Sequence, residues 1–218
     1  MPARGELSLA ARHAQRLGLF GGSFDPPHLG HLHVVRRARA AFALDHVVLV
    51  PAAEPPHKLG QPLSAGALRL ELLQKLLAGE EGVSLWSVEL ERAGPSYTID
   101  TLRALRKQAQ GALFLIVGTD NLEGLPGWRE AEAVLALAQP IVVPRAGTRA
   151  EAVAAALADE RLSARARTRL ALGRLTGPTV DVSSSELRAA LARGAGSHPL
   201  LPEAVAAAVR AHGLYRAP

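Results

Sequence analysis

The stretch Gly21-Gly22-Ser23-Phe24-Asp25-Pro26-Pro27-His28-Leu29-Gly30-His31 holds the densest chemistry in the chain. Its two glycines let backbone amides come close to a ligand, its prolines stiffen the loop, and His28 and His31 arrive where a helix begins. Three residues apart at a helix start, the imidazoles can lie on one face, and Gly30 between them removes a side chain that would block an approaching base or ribose. A positive helix terminus and two imidazole donors together suit phosphate. A plainer alternative makes His28 a turn residue and His31 a satisfied helix-face residue, which the clustering argues against. A metal site from Asp25, His28, His31 and His33 has proper ligand types. However, Pro26-Pro27 draws Asp25 away along an extended loop, and His33, two residues past His31, points to another helix face.

A second constellation is Val182-Ser183-Ser184-Ser185-Glu186-Leu187-Arg188. Ser183 with Glu186 three residues on is a capping box that starts a helix. The same helix start carries hydroxyls at Ser184 and Ser185 with Arg188 one turn in, which makes a second anion site. The two readings are compatible.

Other chemistries are excluded by what is absent. The chain has no G-x-x-x-x-G-K-[ST] loop, no G-x-G-x-x-G after a strand and no H-E-x-x-H. Gly21–Asp25 lacks the final glycine of a nucleophile elbow, so a serine hydrolase is excluded too. With no cysteine, disulfide, thiolate and zinc–thiolate chemistry all fall away. A net charge of +5 is carried mainly by arginine, with lysine only at positions 58, 75 and 107. The arginines are dispersed and few aromatics accompany them, which argues against nucleic acid. No apolar run nears the ~18–20 residues of a membrane span, and the first sixteen residues lack a secretory pattern. A cytoplasmic enzyme with no membrane partner is expected.

The elements that must position these residues follow from periodicity. The 218 residues, 48% hydrophobic and 21% charged, suffice for one folded domain. Strands are predicted at Leu17–Phe20, His46–Val50, Val83–Leu90, Leu113–Val117 and Pro140–Val143. Helices are predicted at Gly30–Phe42, Ala67–Leu77, Ile99–Gln108 and Arg129–Leu137. This alternation predicts an α/β fold, a Rossmann-like parallel sheet with helices on both faces. From about residue 149 an Ala-, Arg- and Leu-rich C-terminal helical lobe is expected, with helices at Arg149–Asp159, Ser163–Leu172, Ser184–Arg193 and Glu203–His212 and one strand at Thr176–Val182. Residues 1–16 read as an N-terminal extension that can be disordered, ahead of a single domain over 17–218. Pro51–Gly66 is the candidate mobile loop. The Gly118–Asp120 turn ending a strand suits ribose hydroxyls, because a carboxylate accepts two hydrogen bonds from a diol.

These residues resemble the nucleotidylyltransferases with an H-x-G-H motif, through Gly21–Phe24, His28–His31, Ser184-Ser185 and Arg188. Further stretches are similar to the bacterial nicotinate mononucleotide adenylyltransferase branch: Pro55-Pro56-His57-Lys58, Arg69, Pro95–Leu102, Gly118–Asp120, Leu125 with Trp128, and Leu201-Pro202 with Gly213-Leu214-Tyr215. The resemblance covers about residues 17–215. It departs where Ser185 replaces the usual threonine, Asn121 a common serine, and Ala52-Ala53 a more polar loop. It implies transfer of AMP from ATP to nicotinate mononucleotide. In that scheme Gly22, Ser23 and Phe24 present backbone to the nucleotides, with Gly30, Gly118 and Asp120 also on the ATP side. His28 and His31 contact the ATP phosphates, and Ser184, Ser185 and Arg188 hold the departing pyrophosphate. The acceptor meets Lys58, Tyr97, Thr98, Asp120 and Trp128. Mg²⁺ is held by phosphates and water. A core role for Trp128 and a solvated Lys58 are the plain alternatives. Rival readings are nicotinamide mononucleotide or another phosphorylated acceptor, and a non-catalytic nucleotide-binding relative. A homo-oligomer is left open.

Overall fold

The strand candidates are apolar runs without polar alternation, the pattern of strands covered on both faces. In the computed structural model, which describes residues 5–56, 60, 62–144, 150–177, 183–194 and 197–216, they form one sheet. β1 (Arg16–Gly22), β2 (His46–Pro51), β3 (Val83–Leu85), β4 (Ala112–Gly118) and β5 (Gln139–Val143) lie in the order β3-β2-β1-β4-β5. Every neighbouring pair is parallel. Successive residues serve opposite layers: Leu17, Leu19, Val48, Leu113 and Leu115 feed one core, and Phe20, Val47, Leu49, Phe114 and Ile116 the other.

The first layer is covered by α4 (Thr98–Gln108) and α5 (Ala131–Leu137), the second by α2 (Leu29–Phe42) and α3 (Gly66–Leu76). The C-terminal helices attach at two places. α6 (Ala150–Ala158) and α7 (Ala164–Leu172) join the first core through Ala156, Ala166 and Leu170. α9 (Glu203–Ala211) packs Val205 and Val209 against Leu72 and Leu76 of α3 and Leu32 of α2. The chain winds from β1 through α2 and β2 to β3, then returns across to β4 on the other side of β1. The carboxyl ends of β1 and β4 therefore border the crevice where connections diverge, the usual ligand position in open α/β sheets.

Three expectations are corrected. Residues 1–16 are expected as an extension that can be disordered; instead, among its described residues, a Ser8-capped helix, α1 (Leu9–His13), is docked here. Leu7, Ala11 and Ala14 are buried in the first core, and the Gly5 carbonyl accepts from Trp86 Nε1 at 3.1 Å. The strand expected at Val83–Leu90 stops at Leu85, because the Trp86 indole turns into the core under that N-terminal segment and Glu89 is buried beyond it. The helix expected from Arg129 starts at Ala131, since Glu130 adopts φ +53° while holding Arg103 in a two-pronged ion pair. Most of the strand proposed at Thr176–Val182 lies outside the described residues. Just before it, Arg174 makes a parallel bridge to Val142.

Leu7→Ala is expected to cost about 2–5 kcal/mol of stability, the usual range for emptying a buried leucine site. Equilibrium urea unfolding reads it, and an unchanged midpoint would mean that residues 5–16 do not belong to the core.

Candidate active site

β1 ends in Gly21-Gly22 and β4 in Gly118, and a cavity of about 750 Å³ opens beyond these ends. A Cβ on Gly22 would sit 3.1 Å from the Phe24 ring, which would have to give by a few tenths of an ångström to admit it. Phe24 itself takes φ +50° and is buried edge-on to Phe20 (centroids 5.5 Å apart) and to His31 (4.9 Å). The Asp25–Pro26 peptide is cis. His28 is the N-cap of α2, and its ring lies 3.8 Å from that of His31. The His28 amide donates to His31 Nδ1 at 3.1 Å. An accepting Nδ1 places the proton of neutral His31 on Nε2, where it can be donated to an anion. The first turn of α2 carries no acidic residue to offset its positive terminus.

The loop is tied down from outside by a buried network. Asp25, 2% exposed, accepts from Tyr215 Oη at 2.5 Å on one carboxylate oxygen and from the Ser64 amide at 3.0 Å on the other. Arg69, also 2% exposed, donates from Nη1 to the Ser23 carbonyl and from Nε to the Ser64 carbonyl, both at 2.8 Å. Burial pushes the Tyr215 phenol well above its ordinary value, and its bond to Asp25 adds to the rise. It therefore stays a donor. Burial pulls Arg69 down, an effect opposed by Asp25 and Tyr215.

The second anion-binding stretch meets the first across the chain. α8 (Ser184–Ala192) begins with the expected capping box: Ser183 Oγ accepts from the Glu186 amide at 3.1 Å, and the Glu186 carboxylate accepts from the Ser183 amide at 2.8 Å. Glu186 partly offsets the helix terminus here, so the side chains carry the positive character. Ser184 Oγ donates to the Pro26 carbonyl at 2.9 Å. Arg188 spans from the Asp25 carbonyl (Nη1, 2.6 Å) to Ser185 Oγ (Nη2, 3.1 Å).

Beyond β4 the cavity changes character. Tyr97 is the N-cap of α4 and gives its first amides no side-chain acceptor. Trp128 closes the short 3₁₀ turn Leu125–Gly127 and is half-buried against the first core. The core role and a role in the cavity wall therefore coexist. Arg129 lies 4.8 Å over the Tyr97 ring and pairs with Asp100 at 3.6 Å. Below them Glu89 is buried, and this lifts its carboxyl above the usual range, opposed by hydrogen bonds from Thr101 and Ser96 and by Arg92.

Every site residue predicted from the sequence lines this one cavity except Lys58, which lies outside the described residues. Gly22, Ser23, Phe24, His28, Gly30 and His31 come from the first loop and α2, and Gly118 and Asp120 from the end of β4. Tyr97, Thr98 and Trp128 form the far wall, and Ser184, Ser185 and Arg188 the near one. Among the described residues no three His, Asp or Glu side chains stand where they could hold a metal ion. Asp25 is engaged by Tyr215 and Ser64 instead. Asp25 is weighed from the sequence only as a metal ligand, and Arg69, Tyr215 and Arg129 have no site role predicted there. Arg69 carried a usable signal, a lone guanidinium on the leucine face of α3. The pairing of Tyr215 with Asp25, 190 residues apart, carried none.

The parallel sheet and its switch-point cavity lined by imidazole, guanidinium and hydroxyl groups define a nucleotidyl-transfer fold. The model of the cytidylyltransferase-like family matches residues 19–190. A "probable nicotinate-nucleotide adenylyltransferase" of Gloeobacter violaceus is 43% identical over 211 residues, which is 94% of this chain and 98% of that one. A protein of the same description from Roseiflexus sp. is 39% identical, covering 92% and 98%. Among solved structures, Plasmodium falciparum nicotinic acid mononucleotide adenylyltransferase complexed with NaAD superposes with a TM-score of 0.69 at 16% identity, covering 92% of this chain and 97% of that chain. The chain belongs to the nicotinate-nucleotide adenylyltransferase family within the cytidylyltransferase-like proteins.

Tyr215→Phe leaves Asp25 without one donor in a buried site and is expected to cost about 1–3 kcal/mol, the penalty for an unsatisfied buried acceptor. The midpoint of guanidinium unfolding checks it. A midpoint equal to the parent's would show that the network does not anchor the loop.

Proposed function

We propose that the chain transfers AMP from ATP to nicotinate mononucleotide, giving nicotinic acid adenine dinucleotide and pyrophosphate. The observation that carries this reading is the meeting, in one cavity, of two anion-binding clusters more than 150 residues apart with an aromatic wall beyond them. It agrees with the descriptions of the relatives.

An oxygen of the mononucleotide phosphate attacks the α-phosphorus. The new P–O bond forms as the bond to the bridging oxygen breaks, and that electron pair leaves with pyrophosphate. Such transfer requires alignment and neutralisation of charge more than a covalent nucleophile. His28 and His31 donate to the phosphates at the start of α2, and Arg188, Ser184 and Ser185 hold the departing β- and γ-phosphates. Gly22, Ser23 and Phe24 bring backbone close to the nucleotides, and Gly118 and Asp120 receive ribose hydroxyls. The groups at the phosphate end donate to anions, and among the described residues no three His, Asp or Glu side chains stand where they could hold a metal ion. A divalent cation, Mg²⁺, would therefore arrive on the triphosphate with phosphate oxygens and water as its ligands. When bound it supplies further neutralisation of the leaving group.

At the acceptor end the pyridine ring stacks on Trp128. Its carboxylate takes the amide of Thr98 at the start of α4, where Tyr97 supplies no side-chain cap. Lys58 serves as a phosphate ligand from the proline-rich loop.

Two outcomes are expected. His31→Ala lowers turnover by about 10²–10³, the scale of losing one preorganised donor to developing charge, while the unfolding midpoint stays near the parent's. Near-normal turnover would remove the imidazole from the mechanism. With ATP fixed, pyrophosphate release with nicotinate mononucleotide exceeds that with nicotinamide mononucleotide by at least about 10² in kcat/KM, because a carboxamide turns an N–H₂ group toward donors. Equal values would leave adenylyl transfer standing and overturn the acid specificity.

A further inference from the structure

Glu89 is a buried carboxyl that takes no part in the steps above. It sits in the turn between β3 and α4, 6% exposed, and borders the cavity together with Ser96 and Thr101, which are 8% and 1% exposed. Burying a carboxyl is costly unless donors meet it, so the groups that meet this one indicate what it holds. Thr101 Oγ1 donates to Glu89 Oε1 at 2.6 Å, whereas the Tyr97 carbonyl is 3.5 Å from the same hydroxyl. Ser96 supplies a second hydroxyl donor. Its Oγ accepts from the amides of Ala53 at 3.0 Å and Glu54 at 3.3 Å, which occupies both lone pairs and directs its proton to the carboxyl. Arg92 adds a positive charge nearby, with Nη2 3.5 Å from Thr101 Oγ1.

The two hydroxyls flank the backbone on which the proposed acceptor carboxylate rests. Ser96 comes two residues before Thr98, and Thr101 three residues after it in the first turn of α4. Tyr97 gives the helix start no side-chain cap, so the direction of the Thr98 amide depends on what holds its two flanks. Ser96 also donates its amide to the Glu54 carbonyl at 2.9 Å, which joins the chain leaving β2 to the chain entering α4 at this residue. One carboxyl at position 89 therefore fixes both flanks, and through Ser96 it fixes the backbone at Ala53 and Glu54 as well. A network of this kind is rigid when every member is satisfied and loosens when one acceptor is removed.

We infer that Glu89 is a positioning residue for the acceptor: through Ser96 and Thr101 it holds the Thr98 amide in the direction that meets the carboxylate on the pyridine ring. This rests on the assignment of nicotinate mononucleotide as acceptor, and it gives Glu89 no contact with the reacting phosphates.

Calorimetric titration of nicotinate mononucleotide into the parent, Glu89→Leu, Glu89→Gln and Thr101→Val tests it without requiring turnover. Glu89→Leu is expected to weaken the mononucleotide about tenfold, the worth of one net hydrogen bond, and to leave ATP affinity within about twofold. Glu89→Gln, which keeps an acceptor oxygen and the volume, recovers most of the loss. Thr101→Val gives part of it and adds little in the Glu89→Leu background, because residues acting through one network are not additive. In steady state the preference for nicotinate over nicotinamide mononucleotide narrows about tenfold in Glu89→Leu. A merely structural role would lower the unfolding midpoint and leave that preference unchanged. Unchanged affinity for nicotinate mononucleotide in Glu89→Leu overturns the inference, as does equal weakening of both substrates. Should Glu89→Leu fail to fold, Thr101→Val decides in the same way: weakening confined to the mononucleotide supports the inference, and unchanged affinity overturns it. If the parent binds the mononucleotide yet forms no dinucleotide, the adenylyl-transfer reading fails while the effect of Glu89 on acceptor binding is still measured.

Discussion

The carboxylate of Asp25 is the point at which the phosphate-binding loop is fixed to the rest of the molecule. It receives Tyr215 from the C-terminal segment and the Ser64 amide from the loop before α3, while its own carbonyl receives Arg188 from α8. Arg69 closes the circuit through the carbonyls of Ser23 and Ser64. A charged group this deeply buried is tolerated only because each of its oxygens has a donor. The consequence is functional. Ser23 to His28 cannot shift without breaking bonds to three distant segments, so donors aimed at phosphate are held in place before any ligand arrives, as stabilisation of developing charge requires.

The same constraint explains why α9 docks on α3. Burial of Val205 and Val209 against Leu72 and Leu76 brings Tyr215 and the Leu200 carbonyl to the start of α2, where Leu200 accepts from the Leu29 amide at 2.9 Å. The C-terminal helices are thus a brace for a site whose chemistry is supplied by the first third of the chain. Electrostatics point the same way. α2 starts without an acidic side chain, whereas α8 starts with Glu186 in its capping box and offers the Arg188 cation and serine hydroxyls.

What could be read in advance divides by range. The capping box of Ser183 and Glu186 was legible because both bonds span three residues, and the strands were legible because apolar runs announce strands buried on both sides. The histidine pair and Arg188 were legible as residue types at helix starts. Trp86 was not, since its turn off the sheet edge depends on a carbonyl 81 residues away at Gly5, and no local pattern in residues 1–16 announces that contact. Asp25 was read as a metal-ligand type drawn aside by prolines. It is drawn aside, but toward a tyrosine 190 residues later, a pairing no local pattern encodes. His33 stands off the His31 face and on the face of Gly30, as the i, i+3 spacing already implies, and both residues line the cavity.

The central claim is that this cavity transfers AMP by positioning alone, in a single in-line displacement with no nucleotidyl group carried on the protein. The stereochemical course tests it most directly, using ATP with sulfur stereospecifically placed at the α-phosphorus and nicotinate mononucleotide as acceptor. A single displacement gives inversion at phosphorus in the dinucleotide product. Retention would require two successive displacements through a covalent adenylyl intermediate and would contradict it.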